Sequence, residues 1–294
     1  MADISSSKFL IIGAYGQLGK ALQAKYPDAF AVDRDQFDLT DWSMIESYDW
    51  SNVEVILNAA AYTNVDGAET FEGRRAAWQI NATGPGYLAR IARQHNITLV
   101  HISSEYVFDG TVTPHNEAEP VTPLGVYAQS KAAGDIAVST APKHYICRTS
   151  WLIGDGPNFV RTMIGLADRD ISPSVVSDQI GRLTFTPTLV DAIGHLLQTQ
   201  APAGTYNVSN DGEPASWAEV TREIFKNLNR NDLSVTDTTT ADYFAHKPEA
   251  APRPLRSDFD LSKIQSTGFV PTNWRDELKQ YINTEQTKLQ ERSS

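Results

Sequence analysis

Cysteine is nearly absent from this 294-residue chain. The single one, Cys147, rules out an intrachain disulfide and with it the secreted, disulfide-framed class, so a reducing compartment, the cytoplasm, is expected. Positive charge is also scarce. The 25 Lys and Arg stand against 36 Asp and Glu, and a net charge of −11 disfavours a nucleic-acid backbone or an anionic membrane as the main partner. Long hydrophobic runs are missing: Phe9 to Ile12 falls far short of the roughly 18 residues of a membrane span, and no signal-peptide pattern precedes it. The six histidines, His95, His101, His115, His144, His195 and His246, lack ligand-like spacing, so no metal site is expected. Neither a G-x-S-x-G elbow nor a P-loop lysine occurs, which argues against hydrolase and NTPase chemistry. Met1 to Ser7 reads as a tag scar, linker or frayed end and is set aside.

What is present is enough apolar residue, 41%, for a sizeable core in one large or two modest domains. Short β-rich runs at Lys8 to Gly13, Ala29 to Asp33, Val53 to Ala60, Ile97 to Ser104 and Lys143 to Ser150 alternate with amphipathic stretches, the rhythm of βαβ units. Val55-Ile56-Leu57 is apolar without alternation, as expected of a parallel strand covered on both faces. Cys147 lies in one such run and reads as a buried packing thiol. An α/β protein follows: a doubly wound, Rossmann-like parallel sheet over residues 1–152, completed by part of 174–208, and a second, smaller mixed α/β substrate domain mainly in 153–294. In that later part Ser216 and Glu219 form a capping box that starts a helix, with Trp217, Val220, Ile224 and Leu228 at helical spacing. A last helix is predicted from about Trp274 to Tyr281 with a polar, frayed end beyond it, and Thr236 to Pro254 reads as extended loop.

Gly13-Ala-Tyr15-Gly16-Gln17-Leu18-Gly19 follows the first strand and opens a helix. In that context the glycines permit a sharp turn, a close backbone approach to a pyrophosphate and tight helix–sheet packing, with the helix N-terminus supplying partial positive charge. Asp33, twenty residues after Gly13 at the end of the second strand, is placed to accept hydrogen bonds from an adenosine ribose. Its neighbour Arg34 suits a 2′-phosphate, so NADH and NADPH both remain open. The competing reading, a structural turn with Asp33 merely solvated, is disfavoured by the strand–turn–helix setting.

Tyr127 and Lys131, four apart on a helix-favouring stretch, share one helical face. An ammonium beside a phenol stabilises the phenolate and lowers its pKa towards neutrality, making Tyr127 a candidate general acid. Such pairs also occur on ordinary helix surfaces. The fourth strand, however, ends in Ser103-Ser104-Glu105, at the carboxyl edge where open α/β sheets bind ligands, and a serine there can hold a carbonyl oxygen for Tyr127. Arg148, Arg161, Arg182, Arg253 and Arg256 are candidates to hold an anion, although each alone is more often a salt-bridge partner.

These residues, with Asn58-Ala-Ala-Ala-Tyr-Thr-Asn-Val-Asp66, His101-Ile-Ser-Ser-Glu-Tyr-Val-Phe-Asp-Gly110, Arg148-Thr-Ser-Trp151, Asn158-Phe-Val-Arg-Thr-Met163, Asp178-Gln-Ile-Gly181 and Pro252-Arg-Pro254, resemble the extended short-chain dehydrogenase/reductases over nearly the whole chain. Within that family the resemblance is to the branch that reduces dTDP-4-dehydro-L-rhamnose to dTDP-L-rhamnose with NADPH or NADH. It implies that Ser104 holds the sugar C4 oxygen, Tyr127 protonates it, and Lys131 tunes Tyr127 and binds the nicotinamide ribose. It further implies that Asp38, Leu39, Ala59, Ala60 and Ala61 line the cofactor groove, and that Asn81 supports the active-site helix. Glu105 and Trp151 would contact the sugar, and Arg182 and Arg253 would face the diphosphate. A homodimer and a functional link to a 3,5-epimerase belong to the same implication. Some relatives dimerise through magnesium-bridged carboxylates, for which this sequence offers no secure match. Two positions depart from the pattern: Leu183 replaces a common proline, and Glu105 stands where Asp is usual. A dehydratase or epimerase on this fold and a non-enzymatic NADP-binding regulatory subunit, like that of methionine adenosyltransferase, are the alternatives. A dehydratase needs a carboxylate pair just after the serine, where this sequence has Glu105 and then Tyr106, and the regulatory subunit would be favoured by a broken Ser/Tyr/Lys set.

Overall fold

The computed structural model describes residues 5–247 and 249–293. Of the segment Met1 to Ser7, residues 1–4 lie outside those described, and Ser6–Lys8 forms a short 3-10 turn. Five strands appear where the β-rich runs place them: β1 (Phe9–Ile12), β2 (Phe30–Val32), β3 (Val55–Asn58), β4 (Thr98–Ser104) and β5 (His144–Thr149). The strand Gly204–Asn207 completes a six-stranded sheet in the order Gly204–Asn207, β5, β4, β3, β1, β2, parallel throughout.

The run Phe9-Leu-Ile-Ile12 lacks alternation because the sheet has two covered faces. Phe9 and Ile11 pack with Val55, Leu57, Val100 and Cys147 under helices α1 (Gln17–Lys25) and Thr186–Gln198. Leu10 and Ile12 pack with Ile56, Leu99 and Ile146 on the opposite face, under α2 (Trp42–Ser47) and the later helix Gly84–His95. Cys147 is fully buried in the first layer, and burial pushes its thiol up to about 12, as a packing thiol requires.

Register carries the functional residues to one edge. Ile12 pairs with Asn58, Asn58 with His101, and Ser104 with Thr149, so β1, β3, β4 and β5 present their carboxyl ends together. A separate core is built on Ile153, Val160, Phe185, Ile224, Trp274 and Leu278 in a smaller lobe, and among the described residues there are three two-stranded sheets.

Two local expectations change. The last helix runs from Trp274 to Ser293 rather than stopping near Tyr281, because Glu285 is held by Arg161 at 2.7 Å and by Lys288 at 3.1 Å. Ser294 is outside the described residues. Thr236 to Pro254 is not loop throughout: Thr236–Thr238 pairs with Ser174–Val176, and Thr240–Phe244 is a short helix capped by Thr239.

Candidate functional site

The glycine turn and the end of β4 open into one cavity of about 880 Å³. Gly13 has φ +86°, and a Cβ there would lie 2.7 Å from the Ala60 nitrogen, so the backbone of the turn sits directly on the chain leaving β3. At Gly19 a Cβ would meet the Gly13 carbonyl oxygen at 2.0 Å, which fixes how closely α1 approaches the strand. Gly16 caps α1 without any side-chain acceptor, leaving the first N–H groups of the helix for a ligand. The residues present therefore fit a pyrophosphate cradle. Asp33 accepts from the Tyr15 N–H at 2.8 Å and the Arg34 N–H at 2.7 Å. Gly13, Tyr15, Gly16, Gln17, Leu18, Asp33, Arg34, Asp38, Leu39, Ala59, Ala60 and Ala61 all line the cavity, whereas Gly19 packs behind the turn. Gln17 also reaches out of the turn, accepting from the Gly154 N–H at 2.9 Å and tying the cradle to the smaller lobe.

The second half of the site is built on a helix and a strand end. Helix α3 (Phe71–Trp78) runs through a π-helical turn (Gln79–Thr83) into α4 (Gly84–His95), and α5 (Val126–Val138) crosses above β4. Tyr127 and Lys131 line the same cavity as Ser104, Glu105 and Trp151, with the Tyr127 phenol within hydrogen-bond reach of Ser104. Lys131 donates to the Ile102 carbonyl at 2.5 Å. Burial pulls its ammonium down to about 8, opposed by the carboxylate of Asp135 one turn away. Asn81 does not line the cavity. It sits buried behind α5, donating to Ser130 Oγ at 3.0 Å and bonding both backbone groups of Tyr62.

The electrostatics of Tyr127 correct the expectation. Its phenol is pushed up, not down, first by burial and then by the nearby Glu105. The hydrogen bond from Ser104 opposes this without outweighing it, and the Lys131 ammonium is engaged by the Ile102 carbonyl. Glu105 is itself pushed up to about 7 by burial, against hydrogen bonds from Ser104 and from backbone N–H groups.

The arginines divide. Arg182 is not in the cavity: its guanidinium donates to the carbonyls of Gly212 at 2.6 Å and Phe259 at 2.9 Å, a structural clamp. Arg253 does not line the cavity either: it pairs with Asp66 at 2.8 Å and stands behind Tyr106, which does. Arg148, Arg161 and Arg256 are occupied by Asp135, by Glu285 with Asp155, and by Asp258. Asp178 is spent on Thr240. Trp151 has φ +44° and stacks on Trp217 at 3.6 Å, which sets the indole as a wall of the cavity.

Several contributors carry no sequence signal for the site, among them the following. Tyr106 and the Asp155-Gly156-Pro157 turn line the cavity; the latter carries an ordinary Gly/Pro turn signal that gives no hint of placement. Glu69 accepts the Val126 N–H at 2.8 Å and caps the helix of Tyr127 and Lys131, a long-range contact with no local signature.

Residues 7–287 match the family model described as RmlD substrate binding domain. A protein of Aggregatibacter actinomycetemcomitans named dTDP-4-dehydrorhamnose reductase is 38% identical over 295 residues, covering 93% of this chain and 97% of its own. A crystal structure of a dTDP-4-dehydrorhamnose reductase from Clostridium acetobutylicum superposes with TM-score 0.88 at 34% identity, covering 95% of this chain and 99% of its own. That of Bacillus anthracis, solved in complex with NADP, gives 0.85 at 35%, covering 94% and 97%.

Proposed function

The chain belongs to the RmlD substrate binding domain family, and on that premise we propose that it reduces the C4 ketone of dTDP-4-dehydro-L-rhamnose to dTDP-L-rhamnose with NADPH or NADH. The observation that carries this reading is the meeting, in one cavity, of the glycine cradle with Ser104, Tyr127 and Lys131. When bound, the reduced nicotinamide supplies the hydride. Gly13 to Gly19, Asp33 with Arg34, Asp38 with Leu39, and Ala59 to Ala61 would hold the dinucleotide.

The remaining work falls to the chain. Ser104 holds the C4 oxygen, and Tyr127 gives it the phenolic proton as negative charge develops there. Because burial keeps the phenol protonated, Tyr127 enters each cycle as the acid. Lys131 supplies positive charge beneath it and holds the nicotinamide ribose, while Asn81 fixes the helix that carries both. Trp151 and Glu105 face the sugar, Arg253 the diphosphate. Catalysis is then positioning and electrostatics. The dehydratase alternative loses support because Tyr106, not a carboxylate, follows Glu105. The regulatory-subunit alternative loses support because the Ser/Tyr/Lys set is whole.

The reading places the enzyme in the cytoplasm, as a homodimer, downstream of a 3,5-epimerase that makes its substrate. Among the described residues no helix is long and apolar enough to cross a membrane. The test mixes the protein with NADPH and dTDP-4-dehydro-6-deoxyglucose, with and without a 3,5-epimerase. Cofactor oxidation that requires the epimerase is expected; oxidation of the unepimerised sugar would shift the substrate, and none with either, beside a working control reductase, would overturn the reading.

A further inference from the structure

Ser104 Oγ has one hydrogen, and the chain has already claimed it: it is donated to Glu105 Oε2 at 2.7 Å. The same oxygen accepts from the Tyr106 N–H at 3.2 Å. A serine hydroxyl offers one donor and two acceptor sites, whereas a ketone oxygen only accepts. While Glu105 is ionised, Ser104 therefore has nothing to give to the substrate. Once Glu105 carries a proton, its O–H donates to Ser104 Oγ beside the Tyr106 N–H, both acceptor sites of that oxygen are filled, and the serine hydrogen is released to the side of the Tyr127 phenol, which lies within hydrogen-bond reach of Ser104 and brings its own proton to the same ketone oxygen.

We propose that Glu105 is a positioning residue that, as the neutral carboxylic acid, turns the Ser104 hydrogen onto the substrate ketone. The proposal rests on the reductase reading and adds to it a control of the serine. No net reaction is involved, only the acid–base state of one carboxyl and the rotation of one hydroxyl. Burial supports it: Glu105 is 4% exposed and its carboxyl is pushed up to about 7, so both states are populated under ordinary conditions. The groups that face it are the phenols of Tyr106 and Tyr127, whose rings meet edge-on at 5.4 Å. Behind these stand Lys131 and Asp135 on α5, and Arg253 and Asp66 against Tyr106. His101, deeper on β4, is held neutral by burial and by Lys131.

Burial pulls Lys131 down to about 8, and loss of its charge would also lower activity at high pH, so the parent profile alone does not separate the two groups. Glu105→Gln does, because its amide N–H donates to Ser104 Oγ at every pH. The experiment measures kcat/KM from pH 5.5 to 9 for the parent, Glu105→Gln and Glu105→Ala, with NADPH binding followed by fluorescence to verify the fold. The parent should fall about tenfold per pH unit above about 7. Glu105→Gln should stay flat from pH 6 to about pH 8, and Glu105→Ala should be at least about 10-fold slower than Glu105→Gln at pH 6. A limb near 7 that persists in Glu105→Gln, or a Gln variant as slow as the Ala variant at pH 6, overturns the proposal while leaving the reductase reading intact. No turnover by the parent overturns that reading and the proposal with it.

Discussion

The side-chain amide of Asn81, in the π-helical turn, donates to the hydroxyl of Ser130 at 3.0 Å, and Ser130 precedes Lys131 on α5. The same side chain closes both backbone groups of Tyr62, on the segment that leaves β3 for the cavity wall. One buried residue thus holds the helix of Tyr127 and Lys131 to the groove side of the site. Asn81→Ala leaves these groups unpaired at a cost of about 1 to 3 kcal/mol. A lower melting midpoint and a kcat reduced about 10-fold or more are expected, since small misplacements of catalytic groups are costly. Thermal unfolding and steady-state kinetics check this; an unchanged kcat would remove Asn81 from the positioning role.

Tyr127→Phe keeps the ring and loses the proton. The expected result is a kcat lower by roughly 10²-fold or more with NADPH affinity little changed. Because the parent phenol is raised by burial and by Glu105, ionisation of Tyr127 itself should contribute no loss of activity between pH 6 and 9. Near-normal turnover in the variant would exclude Tyr127 as the acid.

Asp33 has two duties in this structure, bracing the glycine turn through the Tyr15 and Arg34 N–H groups and facing the cavity. Asp33→Asn keeps the shape and removes the charge that opposes a 2′-phosphate. NADH binding should weaken more than NADPH binding, as titration of both cofactors by fluorescence will register. Equal losses would mean that Asp33 acts only as a brace.

Substitution of Arg182 and of Arg253 is expected to separate stability from binding. Arg182→Ala removes charge-assisted bonds to Gly212 and Phe259, contacts worth about 1.5 to 3 kcal/mol, and should lower the melting midpoint with little change in KM measured below it. Arg253→Ala should instead raise KM about 10-fold to 100-fold, the same energy expressed in binding. A KM unchanged in Arg253→Ala would place the diphosphate elsewhere.

The contrast between those two arginines shows what a sequence does and does not carry. Continuous apolar runs such as Val55-Ile-Leu57 identify strands covered on both faces, and the turn after Ile12 identifies the cradle, because each signal is local. Gly204–Asn207 is short and begins with glycine, and it becomes a strand only through its register with β5. The π-turn at Asn81 and the cap of Glu69 on Val126 depend on partners 49 and 57 residues away. The direction of the Tyr127 shift was misread from spacing because a neighbouring ammonium lowers a phenol only where burial and a carboxylate do not outweigh it. Arg182 was legible as a cation but not as a clamp, since its acceptors are backbone carbonyls of distant loops.

Transfer of the cofactor's own hydrogen to the sugar tests the central claim most directly. The reaction is run with reduced cofactor deuterated at the transferred position, on 4-keto sugar supplied through the 3,5-epimerase, and the product is read by NMR. The account predicts dTDP-L-rhamnose carrying deuterium at C4 and nowhere else, one label for each cofactor oxidised. Product formed with the label retained on the cofactor, or deuterium at any other carbon, would contradict it.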